Sequence, residues 1–326
     1  MKHILTGCQP TSDQLHIGNY FGAIQPILDL MSEQDVQTTM IIVDLHSITK
    51  ILDIPNPNLH LYSLNIAKLY IACGLDPEKC LIFKQSDVHA HAELSWVLSC
   101  FTHIGFMQRM HAYKDAVNKG SENTMSIGSM NYPILMASDI LLYDPDIIPV
   151  GKDNKQHLEY MRDVVDKCNH RYGQIFKSPD PYIVPDIAEI PGIDGRKMSK
   201  SYNNFLWLLD TPEILRKKIN KIITTDLLPS DPKDPFTCNV YNMLKVFLSP
   251  EEQSDLIQRY ERGWLSYKEV KDMLYERVIH LLTPIQQQFA QIDDASVHQI
   301  LRDHALIANH RANQKIQQVY EAIGFR

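Results

Sequence analysis

The chain has 326 residues, 44% of them hydrophobic and 22% charged, enough for a sizeable core and for two domains. A net charge of -7 excludes a general nucleic-acid coater, which would be basic overall, but leaves room for local basic patches against a phosphate backbone. Apolar runs such as 40–43 fall far short of a membrane span, and the 6 cysteines, without a C-x-x-C pair or a zinc-finger histidine spacing, argue for reduced thiols in a cytoplasmic protein and against a protein-held metal.

The opening residues 1–10 carry no long apolar stretch, so no secretory signal is expected. Short β-branched runs at 3–7, 39–44, 80–84 and 146–150 read as strands, and helical patterns occupy the stretches near 19–31, 58–73, 90–109, 132–143 and 153–171. This alternation predicts an α/β fold, a Rossmann-like parallel sheet with helices on both faces. The Pro- and Gly-containing segment 177–196 reads as a loop and as the boundary between two halves. Beyond 203 the pattern turns helical. Thr211 before Pro212 suits an N-cap, Ser249-Pro250-Glu251-Glu252 and Ser266-Tyr267-Lys268-Glu269 read as capping boxes, and Gly263 as a stop. The helix opened by Ser266 is expected to end before Pro284, and 294–323 to form one or two more helices.

Two motifs carry chemistry. The first strand runs through Gln9, Pro10 and Thr11 into His16-Ile17-Gly18-Asn19. A strand, a polar turn and a helix start with glycine form a place where phosphate meets backbone N–H groups, and Gly18 lets a flat base come close. Alone, this reads better as a capped helix start. The second motif is Lys197-Met198-Ser199-Lys200-Ser201, in a glycine-flanked loop whose two lysines can neutralise a departing pyrophosphate. Alone, it is equally a solvated basic loop; the pair together favours the chemical reading. A third pattern is the helical stripe Tyr132, Met136, Asp139 and Tyr143. A carboxylate among Ile134, Leu135, Ile140 and Leu141 is costly unless something donates to it, and an indole N–H is a donor with no acceptor. The bland alternative turns Asp139 outward to solvent or to a neighbouring helix.

His16-Ile17-Gly18-Asn19 and the complete K-M-S-K-S resemble the signatures of the class I aminoacyl-tRNA synthetases. The continuation Tyr20-Phe21-Gly22-Ala23, the block 43–49, the block 132–143 and the block 149–157 resemble the tryptophanyl branch in its bacterial form, in order from residue 1 to about 225 and more weakly beyond. The resemblance implies attachment of tryptophan to its tRNA through a tryptophanyl-adenylate. It gives His16 and Asn19 to the α-phosphate, Lys197 and Lys200 to the outer phosphates, and Gln9, Pro10 and Thr11 to the phosphate side. Gly18 would carry adenine and Ile190 its edge, Gly151, Lys152 and Asp153 the ribose, and Met198, Ser199 and Ser201 complete the ATP loop. Asp139 would read the indole nitrogen, with Tyr132, Met136, His46 and Val150 as pocket wall. The same resemblance implies ATP, L-tryptophan and tRNA as partners, Mg2+ arriving with ATP, a homodimer, and Lys114 near ATP. Cys238 is the only cysteine beyond residue 200, which leaves no set for the iron–sulfur cluster some relatives carry.

The implied organisation is a catalytic domain at 1–190, the lysine-loop linker at 191–203, a helical tRNA/anticodon-binding domain at 204–292, and C-terminal helices at 293–326 packing back on the catalytic domain. Asn154, Lys152, Leu45 and Leu5 depart from the branch's usual Gln, acidic residue, Gln and aromatic. The basic run Arg216-Lys217-Lys218-Ile219-Asn220-Lys221 is either a solvated helix face or a tRNA phosphate contact. Competing readings are a tyrosyl-type ligase, a simple nucleotidyltransferase, and a non-catalytic synthetase-like regulatory paralogue.

Overall fold

The computed structural model describes residues 2–32, 36–51, 56–150, 155–183 and 190–326, with the side chains of 150, 155, 183 and 201 left out. In chain order the elements are β1 (Lys2–Cys8), α1 (Ile17–Asn19), a π-helical turn at Tyr20–Ile24, α2 (Gln25–Ser32), β2 (Val36–Ile42), α3 (Asp44–Ile51), α4 (Leu59–Ala72) and β3 (Cys80–Lys84). Then come α5 (Ala90–Phe101), α6 (Ile104–Met107), α7 (His111–Asn118), α8 (Ile127–Leu141), β4 (Ile147–Val150), α9 (Lys155–Tyr172) and β5 (Asp180–Ile183). The last are α10 (Pro212–Asn220), α11 (Asn239–Leu244), α12 (Pro250–Arg262), α13 (Tyr267–Gln291) and α14 (Asp294–Ile323).

The chain divides into two compact units, the first made of 1–13, 29–184 and 293–326, the second of 14–28 and 185–292. Residues 14–28, including the whole of His16–Asn19, therefore group with the second unit. In the first unit all five strands are parallel, in the order β3-β2-β1-β4-β5. Ile4, Met40, Ile41, Ile42, Ile82 and Phe83 are at most 1% exposed, which is why these strands read as unbroken apolar runs. The chain goes from β1 to β2 and β3 on one side and reaches β4 and β5 on the other. That reversal beside β1 opens a crevice at the carboxyl ends of the strands, where ligands bind in such sheets. β3 is an edge, and α14 covers it: Ala305, Ala308, Ala312, Ile316 and Val319 are buried in the same core, and the Ile82 N–H donates to His304 Nδ1 at 2.9 Å.

β5 forms inside the stretch expected to be loop. Pro181 marks it as a non-strand by the usual rule, but β5 is an edge with one neighbour, where a missing N–H costs no ladder bond on the outer side. The helix expected over 90–109 breaks at Thr102, whose hydroxyl engages the Leu98 carbonyl and the Tyr160 hydroxyl, both at 2.8 Å.

In the second unit two of the three caps act as read: the Thr211 side chain accepts from the Ile214 N–H, and Ser249 and Glu252 cap each other's backbone. Ser266 accepts from the Glu269 N–H, but the Glu269 carboxylate pairs with Arg259, so the second expected capping box is a simple N-cap. The expected stop before Pro284 does not occur: α13 runs on to Gln291. Leu282 and Ile285, buried on either side of the proline, hold the helix in the core, and Gln286 donates to the Leu208 and Asp210 carbonyls. Packing thus outweighs the local cost of about 3 kcal/mol for an interior proline. The segment 294–323 is one helix.

Candidate active site

Within the first unit, polar side chains gather where strands end. Asp139, on α8, is 4% exposed. Its Oδ1 accepts from Gln85 Nε2 at 2.7 Å and lies 2.6 Å from His91 Nδ1. His91 Nε2 is 2.9 Å from the Tyr143 hydroxyl, and Gln85 Oε1 accepts from the His46 backbone N–H at 3.1 Å. Gln85 directly follows β3, and His46 lies on the helix after β2, so both are placed by strand termini. No described residue donates to Oδ2 of Asp139.

Around this carboxylate stand rings. The His46 and Tyr132 centroids are 4.9 Å apart, and the Tyr132 hydroxyl is 3.0 Å from His157 Nε2. Burial pulls the His46 imidazole down to about 4 against the opposing pull of Asp139, with Lys50 and His157 adding to the depression. His46 is therefore neutral at physiological pH. Met136 is half-buried against the core. Gln9 and Thr11 are half-buried and Pro10 buried in the turn after β1. Gly151, Lys152 and Asp153, with Asn154, lie outside the described residues, as does the side chain of Val150. Lys114 stands exposed on α7.

Within the second unit the two signature motifs come together. His16 Nδ1 accepts from the Asn19 N–H at 3.2 Å, while Asn19 Oδ1 accepts from the His16 N–H at 3.1 Å. This reciprocal cap occupies one acceptor on each side chain. What remains outward is the His16 Nε2–H and the Asn19 amide NH2, both donors. Burial, and then the charge of Lys200, lower His16 to about 4, so the ring is neutral with its proton on Nε2. The segment 205–208 backs this corner: the Ile17 N–H donates to the Leu206 carbonyl at 2.9 Å and the His16 ring stacks on Phe205 at 6.2 Å. A Cβ on Gly18 would sit 3.0 Å from His16 Nδ1, tight enough to push the ring out of its cap, while Met198 of the lysine loop would lie in ordinary contact at 3.5 Å.

The loop itself is organised by Asn204, 1% exposed. Its Oδ1 accepts from the Ser199 N–H at 2.8 Å, and its amide donates to Asp194 at 2.6 Å and to the Lys197 carbonyl at 3.1 Å. The Met198 N–H donates to the Ile190 carbonyl at 2.9 Å; Ile190 is buried, and Lys197 is exposed. The Ser201 side chain lies outside the described residues. Lys200 Nζ is 5.8 Å from the Trp207 ring centre. The basic run is divided: Arg216 pairs with Asp272 and lies over Tyr275, and Lys218 pairs with the buried Asp210, whereas Lys217 and Lys221 are exposed.

Gln85, His91, His157 and Asn204 were not found from sequence. A polar residue at the end of a buried strand was the available signal for Gln85; Asn204 had only its place next to the lysine loop.

A parallel sheet with its ligand edge at a strand reversal, a donor-only helix start and a lysine loop closed over it define a class of enzyme. The family pattern of the class I tRNA synthetases specific for W and Y matches residues 2–283, and the chain belongs to that family. Within it the chain falls among the tryptophan–tRNA ligases. It is 40% identical to the tryptophan–tRNA ligase of Campylobacter jejuni over 98% of this chain and 99% of the relative. It is 38% identical to that of Fusobacterium nucleatum over 99% and 98%. The crystal structure of the C. jejuni tryptophanyl-tRNA synthetase complexed with ADP and tryptophan superposes with a TM-score of 0.87 at 39% identity, covering 99% of each chain.

Proposed function

We propose that this chain attaches L-tryptophan to tRNA(Trp) in two steps. The tryptophan carboxylate attacks the α-phosphorus of ATP in line: an O–P bond forms, the bond to the bridging oxygen breaks, and pyrophosphate leaves. A ribose hydroxyl of the tRNA 3′-terminal adenosine then attacks the activated carbonyl, its proton is lost, and AMP departs. The substrates supply both nucleophiles, so the protein's contribution is positioning and charge stabilisation. The His16 and Asn19 donors serve the α-phosphate, where negative charge develops. Lys197 and Lys200 serve the departing pyrophosphate, Gln9, Pro10 and Thr11 the phosphate side, and Gly18 and Ile190 the adenine. Met198, Ser199 and Ser201 shape the loop, and Gly151, Lys152 and Asp153 the ribose. Mg2+ would arrive with ATP, as the resemblance implies, and would help neutralise charge on the departing pyrophosphate beside Lys197 and Lys200.

The observation that carries the reading is Asp139: a carboxylate buried among rings, with one oxygen occupied and the other left for a donor. Indole N–H fits it, and Tyr132, Met136, His46 and Val150 form the wall. The tyrosyl-type and regulatory alternatives are not favoured, given the relatives above and intact His16, Asn19, Lys197 and Lys200. The helical second unit is proposed to bind tRNA, and the active form to be a homodimer, as the resemblance implies. Among the described residues no helix is long and apolar enough to cross a membrane. ATP–pyrophosphate exchange with each amino acid in turn, followed by charging of total tRNA, tests the proposal. Exchange with tryptophan and little with tyrosine or phenylalanine is expected. Equal exchange with tyrosine overturns the substrate, and no exchange with any amino acid overturns the activity.

A further inference from the structure

We propose that His91 and Gln85 are positioning residues that set amino-acid specificity: by holding Oδ1 of Asp139 from two sides, they leave Oδ2 as the acceptor for a donor on the substrate ring. The inference rests on the reading of Asp139 given above. It concerns how a carboxylate, which is two-fold symmetric and turns easily about its last torsion, comes to present one fixed oxygen.

Each member of the network is oriented by another. His91 and Gln85 are both 0% exposed, so water does not replace a lost partner. Gln85 could present either end of its amide, but the His46 N–H occupies Oε1, so Nε2 faces Asp139. His91 could carry its proton on either nitrogen. The partner of the Tyr143 hydroxyl among the described residues is His91 Nε2 at 2.9 Å, and burial, aided by Asp139, keeps that hydroxyl protonated. Tyr143 therefore donates to Nε2, and the imidazole proton sits on Nδ1, 2.6 Å from Oδ1. Two donors on Oδ1 pin the carboxylate plane, because rotation breaks both bonds at once. Nothing in the network turns round to offer an acceptor in place of Oδ2. A ring of the right shape but without N–H then leaves Oδ2 buried and unpaired, the condition under which a site rejects an analogue strongly.

The probe is L-3-benzothienylalanine, in which sulfur replaces the indole N–H with little change of shape. ATP–pyrophosphate exchange gives kcat and KM for it and for tryptophan. The wild-type protein is expected to favour tryptophan by about a hundred-fold or more in kcat/KM. His91→Leu reduces that preference about ten-fold or more, chiefly through KM for tryptophan, with KM for ATP within about two-fold. His91→Asn, whose amide can donate from where Nδ1 stood, recovers most of the preference. Tyr143→Phe keeps the ring and its packing, removes the proton that fixes the tautomer, and gives an intermediate loss even where His91→Leu fails to fold. A preference that stays at the wild-type value in His91→Leu and Tyr143→Phe overturns the inference. So does equal weakening of both amino acids, which is what a purely structural role produces. A wild-type protein that accepts both amino acids alike removes the role of Asp139 itself, and this inference with it; absence of exchange removes the activity.

Discussion

His16 and Asn19 offer each other their acceptors, and the sign of the site follows from that exchange. A histidine with Nδ1 engaged by a backbone N–H and an amide with Oδ1 engaged likewise can only donate outward, which suits a phosphate and not a cation. Asn19→Asp keeps the cap, since a carboxylate still accepts from the His16 N–H, but replaces a donor by a negative charge. The expected result is a fall of about a hundred-fold or more in kcat for pyrophosphate exchange, with KM for tryptophan within about two-fold. Unchanged kcat in stopped-flow or exchange assays would show that Asn19 is a cap and nothing more. This corner was legible because strand, turn and helix start are contiguous. Asp139 was legible because a carboxylate in an apolar helix face needs a reason. Its holders were not: Gln85 and His91 lie 54 and 48 residues away, and only the folded sheet brings them to it.

The lysine loop gains its shape from one asparagine outside the motif. Asn204 bonds Ser199, Asp194 and the Lys197 carbonyl at once, and a Cβ on Gly192 would lie 2.2 Å from its amide. Asn204→Ala should therefore lower kcat for adenylate formation about ten- to a hundred-fold while leaving KM for tryptophan near its original value, because the lysines keep their charge and lose their frame. If kcat holds and only thermal stability falls, Asn204 is structural. Helix α10 and its C-cap divide their cations by partner. Arg216 and Lys218 are paired, while Lys217 and Lys221 are exposed, as is Lys268 on α13, beside a groove of about 450 Å³ that Arg216, Asn220 and Lys271 also line. Replacing these three lysines by glutamine should reduce the slope of log affinity for tRNA against log salt by about 2 to 3; an unchanged slope in filter binding places the tRNA backbone elsewhere. Element by element, β3 and α14 were read to the residue, whereas β2 begins three residues and the Ser126-capped α8 five residues before the expected starts. β5 and the end of α13 were missed, because in each a proline whose local meaning is clear is overruled by its place, one on a sheet edge and one inside a packed helix.

Among the described residues, four histidines are shifted in the same direction. Burial is the largest cause for His3, His16, His46 and His304 alike, and it lowers all four. The four are spread over both units, His16 in the second and the others in the first. Two of them accept through a ring nitrogen that protonation would block: His304 Nδ1 accepts the Ile82 N–H that β3 presents at its edge, and His16 Nδ1 accepts the Asn19 N–H. In the unfolded chain these rings take up protons near 6.5, whereas in the folded chain His16 and His46 do so only near 4. Between those values the unfolded state binds more protons, so stability is full above about 6.5 and falls as pH drops toward 4, by on the order of 3 kcal/mol for each of these two groups. Below 4 their contribution levels off. Urea unfolding at pH 7 and pH 4.5 measures it: the wild-type midpoint should drop steeply across that interval, and His16→Asn or His46→Asn, which carry no proton to gain, should each drop less. Parallel midpoint losses in wild type and both variants would assign the acid sensitivity to carboxylates and show that these imidazoles fold without penalty in their charged form.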